Sequence, residues 1–257
     1  MRHSIIFLLI FILSGCSHFK DKGDDTEGWD ADRLYTEARG ELDSGSYSKA
    51  VEYYQKLETK FPFGVHAQQA LLDLAYAHYK NDDPEAAIAA SNRFIKLYPQ
   101  NVHVDYAYYL KGLTHFNRGK GFLQRYMPTD ESQRDPGAAF SAFQEFSELV
   151  KRYPDSQYVE DSAKRMRYLR NILAKNEVHV ANYYMRRGAF IAAANRARYV
   201  IENYPKTPAV PDALAVMAKA YRVLEMDDLS IDALRVLELN YPNHPGLHEA
   251  KEIEVVR

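Results

Sequence analysis

The sequence predicts an all-α protein, a linear array of about five helical hairpins. An aromatic-proline pair recurs at Phe61-Pro62, Tyr98-Pro99, Tyr153-Pro154, Tyr204-Pro205 and Tyr241-Pro242, with matching residues at fixed distances upstream. Glycine, at 12 of 257 residues, is too scarce for a β-sandwich and its many tight turns. Cys16 is the only cysteine, so no internal disulfide is available and packing must hold the fold.

The first element is a leader. Met1 and Arg2 precede nine apolar residues, Ile5 to Leu13, and then Ser14-Gly15-Cys16. Nine residues rise only about 14 Å as a helix, short of a bilayer core of about 30 Å, which fits a cleaved signal rather than a permanent span. Leu13-Ser14-Gly15-Cys16 resembles the bacterial lipobox. That resemblance implies a signal peptide over residues 1–15 and acylation of Cys16. Ser17 rather than Asp follows the cysteine, which by the same resemblance directs the protein to the outer membrane. Residues 16–28 are polar and charged and read as a lipidated, flexible tether.

The array is expected over residues 29–242. Twelve residues before each repeated proline stands a small residue: Ala50, Ala87, Ala142, Ala193 or Ser230. Eight before stand Tyr54, Ser91, Phe146, Ala197 and Leu234, and five before stand Leu57, Phe94, Leu149, Val200 and Leu237. Steps of four, three and four trace one face of an α-helix. The small residue admits a neighbouring helix, and the proline, lacking an N–H, ends its own. A second helical stretch precedes each of these helices, and polar breaks part the two at Asp43 to Ser46, Asn81 to Pro84, Arg187-Gly188 and Asp227-Asp228.

This pattern resembles the tetratricopeptide repeat, whose usual period is 34. Here the prolines are spaced by 37, 55, 51 and 37 residues. The units are placed at 29–62, 63–99, 100–154, 155–205 and 206–242. The third carries a loop-like insert between Gly119 and Pro136, and the fourth an extended helical stretch over 157–187. Residues 243–257 are read as a solvated C-terminal extension. Stacked hairpins form a tetratricopeptide-repeat superhelix with a concave face suited to gripping peptides and helices.

The chain offers little for catalysis. The 33 Lys and Arg nearly balance 35 Asp and Glu, which gives no global electrostatic reason to bind nucleic acid. There is no Gly-x-Ser-x-Gly elbow, no phosphate loop and no His-Glu-x-x-His. His244 and His248 beside Glu249 are the closest approach to a metal site, but Pro245-Gly246 interrupts them. Asp82-Asp83 and Asp227-Asp228 lie in inter-helix turns, where helix capping accounts for carboxylates. Neither enzyme activity nor a cofactor or metal is expected; the only bound group is covalent lipid on Cys16. The basic clusters Lys164-Arg165-x-Arg167-x-x-Arg170 and Arg186-Arg187 with Arg196 and Arg198 suit a solvated face or an interface. Tyr183-Tyr184 beside Arg187 carries the two residue types most enriched at interface centres.

Several stretches together resemble the BamD family, the tetratricopeptide-repeat lipoproteins of the outer-membrane β-barrel assembly machinery. They include Phe61-Pro62-Phe63-Gly64, Leu72-Asp73-Leu74, Arg93-Phe94-Ile95, Arg134-Asp135-Pro136, Tyr153-Pro154-x-Ser156-Gln157-Tyr158, Tyr183-Tyr184-x-x-Arg187-Gly188-Ala189 and Asn195-Arg196. The resemblance implies a lipid-anchored scaffold on the periplasmic face of the outer membrane, working with other Bam lipoproteins. It implies that the N-terminal repeats receive a signal from unfolded β-barrel substrates at a pocket with Phe61 and Phe63. Phe61 stands where the family often has Tyr, keeping the ring and losing the hydroxyl. It further implies that the C-terminal repeats dock on a POTRA domain of BamA, with Arg196, Arg187, Tyr183 and Tyr184 on that side. A pilus or secretin assembly lipoprotein shares lipobox and repeats, and a periplasmic cell-wall hydrolase on a helical scaffold is the enzymatic alternative.

Overall fold

In the computed structural model, residues 25–118, 130–133 and 135–252 are described. The signal peptide, Cys16, the tether through residue 24 and the insert over 119–129 lie outside them. The described residues form eleven α-helices and one 3-10 turn, with no strand among them. The fold is an all-α repeat array of the tetratricopeptide kind. It divides into two compact units, residues 1–67 and 68–257.

The first unit holds one hairpin, α1 (Ala31–Asp43) and α2 (Tyr47–Lys60). Asp30 caps α1 by accepting from the Arg33 N–H at 2.8 Å. Leu34, Ala38 and Leu42 are buried on α1, and Ala50, Tyr53, Tyr54 and Leu57 on α2. Described structure already falls inside the tether expected over residues 16–28. Residues 25–28 form a turn, Thr26 is fully buried, and Lys60 Nζ donates to the Thr26 carbonyl at 3.2 Å. Trp29 then packs on Tyr53 at 5.4 Å between ring centres.

The second unit runs α3 (Ala67–Lys80), α4 (Pro84–Leu97), α5 (Val104–Asn117), α6 (Gly137–Arg152), α7 (Val159–Arg186), α8 (Phe190–Asn203), α9 (Val210–Val223), α10 (Asp227–Asn240) and α11 (Pro245–Lys251). Its core is a chain of clusters. Leu71 and Leu72 of α3 meet Ala90 and Phe94 of α4, Ala107 and Leu110 of α5, and Leu149 of α6. Ala142 and Phe146 of α6 then meet Leu169 of α7. Ala174, Val178 and Ala181 of α7 join Ala193, Ala197 and Val200 of α8 and Ala213 and Val216 of α9. At 28 residues, against 16 in α6 and 14 in α8, α7 thus serves the third hairpin with its first half and the fourth with its second.

Two local devices repeat. Phe61, Tyr98, Tyr153, Tyr204 and Tyr241 each cap a helix in a non-helical conformation, and each N–H bonds the carbonyl four residues back. The following proline cannot donate and would force its predecessor out of the helix, so all five helices stop alike. The second device turns the chain inside a hairpin. Gly45, Asp82, Gly188 and Glu225 all have positive φ. The next N–H in each case, from Ser46, Asp83, Ala189 or Met226, reaches the carbonyl five residues back at 2.9–3.0 Å. This is a Schellman cap, which needs a left-handed residue. The break read at Asp227-Asp228 therefore sits two residues earlier, at Glu225. Asp227 opens α10 and pairs with Arg222 at 2.6 Å.

The C-terminal segment is also corrected: residues 245–251 are a helix, not a solvated tail. Ala250 of α11 is buried with Ala218 of α9 and Ala233 of α10, and Leu247 packs beside Leu214 and Leu237. A Cβ on Gly246 would lie 2.7 Å from the Ala215 methyl, so only glycine lets α11 approach α9 this closely.

Candidate protein-binding surface on the fourth hairpin

The end of α7 sorts two adjacent tyrosines by helical geometry, since neighbours on a helix point about 100° apart. Tyr184 turns inward against the cluster shared by α7, α8 and α9. Tyr183 turns outward and is 47% exposed. Their rings meet edge to face at 5.9 Å. Arg187 caps α7, and its guanidinium lies 5.3 Å from the centre of the Tyr183 ring, a cation–π contact that holds both groups. Gly188, with φ of 72°, then turns the chain into α8.

Arg196 lies one helix on. Its Nη1 is 3.0 Å from Oε2 of Glu177 on α7, and the arginine side chain stays 47% exposed. Glu177 was not among the expected site residues. It and Arg196 stand at nearly equal distances on either side of the Arg187-Gly188 turn, the relation that pairs residues across an antiparallel hairpin. Ile191, 64% exposed at the start of α8, was missed as well. It stands two residues, about 200°, from Ala193 on the helix, so the face that buries Ala193, Ala197 and Val200 turns it outward. The fourth hairpin therefore presents one exposed tyrosine, an arginine stacked on it, a second arginine in an ion pair and an exposed isoleucine. Tyrosine and arginine are among the types that dominate interface energetics.

The N-terminal pair separates. Phe61 is the half-buried cap of α2, while Phe63 is 97% exposed. A side chain this open projects into solvent.

The remaining sequence candidates are structural. Asp83 caps α4 by accepting from the Ala86 N–H at 3.2 Å. Nδ1 of His244 accepts from the Gly246 N–H, and its Nε2 lies 3.3 Å from Asp212. His248 points to Glu252, and no metal-binding cluster of His, Cys, Asp or Glu exists among the described residues. Arg165 and Lys164 pair with Asp161 and Glu160 one turn back on α7.

One constellation looks catalytic and is not. Ser132 Oγ lies 2.9 Å from His179 Nε2, with Asp130 nearby. In a serine triad the carboxylate holds the histidine nitrogen remote from the serine. Here Asp130 Oδ1 sits 2.5 Å from the serine hydroxyl itself, and Oδ2 is 3.7 Å from the same Nε2. The lysine ammonium of Lys175 at 2.8 Å and the Ser132 hydroxyl hold the Asp130 carboxyl well below the usual carboxylate range. With Asn176 donating to the Ser132 carbonyl at 2.8 Å, the group is a clamp that fastens the 3-10 turn Glu131–Gln133 to α7.

A family model described as YfiO, outer membrane lipoprotein, matches residues 28–247. The chain belongs to this family, that of the BamD lipoproteins. The match takes in all five hairpins and ends inside α11. The outer membrane protein assembly factor BamD of Neisseria meningitidis serogroup B is 47% identical over 224 residues, covering 87% of this chain and 84% of that protein. The BamD of Vibrio cholerae is 36% identical over 233 residues, 91% of this chain and 95% of its own length. That of Xylella fastidiosa strain Temecula1 is 35% identical over 248 residues, 96% of this chain and 84% of its own. The chain is thus an outer-membrane-associated scaffold of the BamD family and not an enzyme.

Proposed function

We propose that this protein is a lipid-anchored scaffold on the periplasmic face of the outer membrane. It binds a POTRA domain of BamA and, beside other Bam lipoproteins, helps unfolded β-barrel proteins into the membrane. The carrying observation is the kinship with proteins named outer membrane protein assembly factor BamD, which extends over most of both chains. This favours assembly of outer-membrane proteins over a pilus or secretin role.

Within that reading the fourth hairpin is the BamA side. Tyr183 and Arg187 are exposed and held against each other, so little side-chain freedom is lost when a partner covers them. Arg196 offers a guanidinium to a carboxylate on BamA, and Tyr184 supports the patch from below. Segments of unfolded substrate meet the first hairpin near Phe61. The anchor is lipid on Cys16, and no other cofactor enters the account.

Co-purification from detergent-solubilised envelopes tests the reading. BamA is expected in the eluate with the native chain and at reduced recovery with Tyr183→Ala combined with Arg187→Ala. An eluate without BamA under both conditions contradicts the proposal.

A further inference from the structure

The loop between α2 and α3 exposes two apolar side chains almost completely, Phe63 at 97% and Val65 at 92%. The loop itself is held. The His66 imidazole stacks on Tyr35 at 4.4 Å with planes 4° apart, and its Nε2 lies 2.7 Å from Asp32 Oδ1. An apolar pair projected from a fastened loop marks a contact surface rather than a stray surface residue.

The topology of the first unit places this loop. A hairpin of two antiparallel helices takes its chain in and lets it out at the same end. Two contacts confirm this for α1 and α2: Lys60 Nζ reaches the Thr26 carbonyl, and His66 reaches Asp32. The exposed pair therefore shares one end of the unit with the point where the tether joins. Eight residues lie between Cys16 and Asp25, nine Cα steps with a reach of at most about 30 Å. Lipid on Cys16 thus keeps this end of the hairpin close to the bilayer surface.

We infer that Phe63 and Val65 enter the headgroup and upper acyl region of the leaflet that holds the Cys16 lipid, as a second membrane contact. The inference rests on the acylation of Cys16 proposed above. The lipid alone fixes distance; a second point fixes which end of the first hairpin faces the membrane. The contact is apolar rather than electrostatic, because residues 20–33 set six carboxylates (Asp21, Asp24, Asp25, Glu27, Asp30 and Asp32) against three cations (Lys20, Lys22 and Arg33) and so form no basic patch for an anionic surface.

Tryptophan emission in the lipidated full chain, reconstituted in phosphatidylcholine vesicles, tests this. Phe63→Trp and Val65→Trp are compared with Ser44→Trp at the opposite end of the hairpin, about 20 Å away along α1. The native chain corrects for Trp29. With phosphatidylcholine brominated on its acyl chains, the Phe63→Trp and Val65→Trp signals should lose most of their intensity and the Ser44→Trp signal none. If the chain floats with the vesicles and both loop tryptophans stay bright, the anchor stands and the inference falls, leaving the loop to a protein partner. If the chain carrying Cys16 does not float at all, the acylation reading fails and takes the inference with it.

Discussion

Arg196 of α8 and Glu177 of α7 form an ion pair, Nη1 to Oε2 at 3.0 Å, that ties together the two helices of the fourth hairpin. Both partners keep some contact with water, so the pair contributes about 1 kcal/mol or less to stability. Glu177→Gln releases Arg196 and should leave BamA association unchanged or stronger, at that small cost in urea midpoint. Arg196→Glu sets two carboxylates together and should weaken association clearly. Equal loss of BamA binding in both variants would mean that Arg196 serves the hairpin and not the partner.

Glu225 occupies the left-handed position of the α9–α10 turn, with φ of 59°. A side chain there costs roughly 1–2 kcal/mol that glycine does not incur, partly offset by the greater freedom of glycine in the unfolded chain. Glu225→Gly is therefore expected to stabilise the fold by about 0.5–1 kcal/mol. Chemical denaturation measures it, and a lower midpoint would contradict the Schellman assignment.

Gly112 on α5 has no room for a side chain. A Cβ would sit 2.5–2.9 Å from ring atoms of Phe146 on α6, which is itself fully buried. Alanine improves helix propensity by about 1 kcal/mol but overpacks this crossing by about 1–3 kcal/mol. Gly112→Ala should lower stability, and Gly112→Val should lower it further. Combining Gly112→Ala with Phe146→Leu is expected to cost less than the two changes added, which a double-mutant cycle would register.

Acid should loosen the second unit through its buried histidines. Burial pushes the His78 imidazole below its ordinary pKa, partly opposed by Asp83, whose Oδ2 lies 3.4 Å from Nδ1 without the alignment of a hydrogen bond. Burial also depresses His115. The unfolded chain then binds more protons than the folded one below about pH 6.5, so stability is full above that value and falls as pH drops through it. His78→Gln should flatten the decline between about pH 7 and pH 5. A profile as steep as that of the native chain would remove His78 from the cause. Carboxylates such as Asp161, held down by Arg165 and Tyr109 against the opposing effect of burial, act only at lower pH.

Much of this architecture was readable because the repeat writes one physical requirement several times. The small residue twelve before each proline is buried in all five cases, including Ser230, whose hydroxyl donates to the Ala218 carbonyl at 3.0 Å. The turns were only half legible. Gly45 and Gly188 announce a left-handed residue, and Asp82 falls inside the polar break at Asn81 to Pro84, whereas Glu225 adopts the same conformation with no local sign. The seating of α11 on α9 depends on a contact between Gly246 and Ala215, 31 residues apart, which no periodicity reveals. At the candidate surface of the fourth hairpin, residue type suggested Tyr183 and Arg187, but only geometry separates exposed Tyr183 from inward Tyr184; at the first hairpin it likewise separates projecting Phe63 from capping Phe61.

A photo-crosslinking amino acid placed at position 183 in the envelope-resident protein is the most direct test of the central claim. A crosslink to BamA from position 183, and none from position 52 on α2 of the first hairpin, is the predicted outcome. BamA captured from position 52 and not from 183, or from neither, would contradict the assignment of the fourth hairpin as the BamA-binding surface.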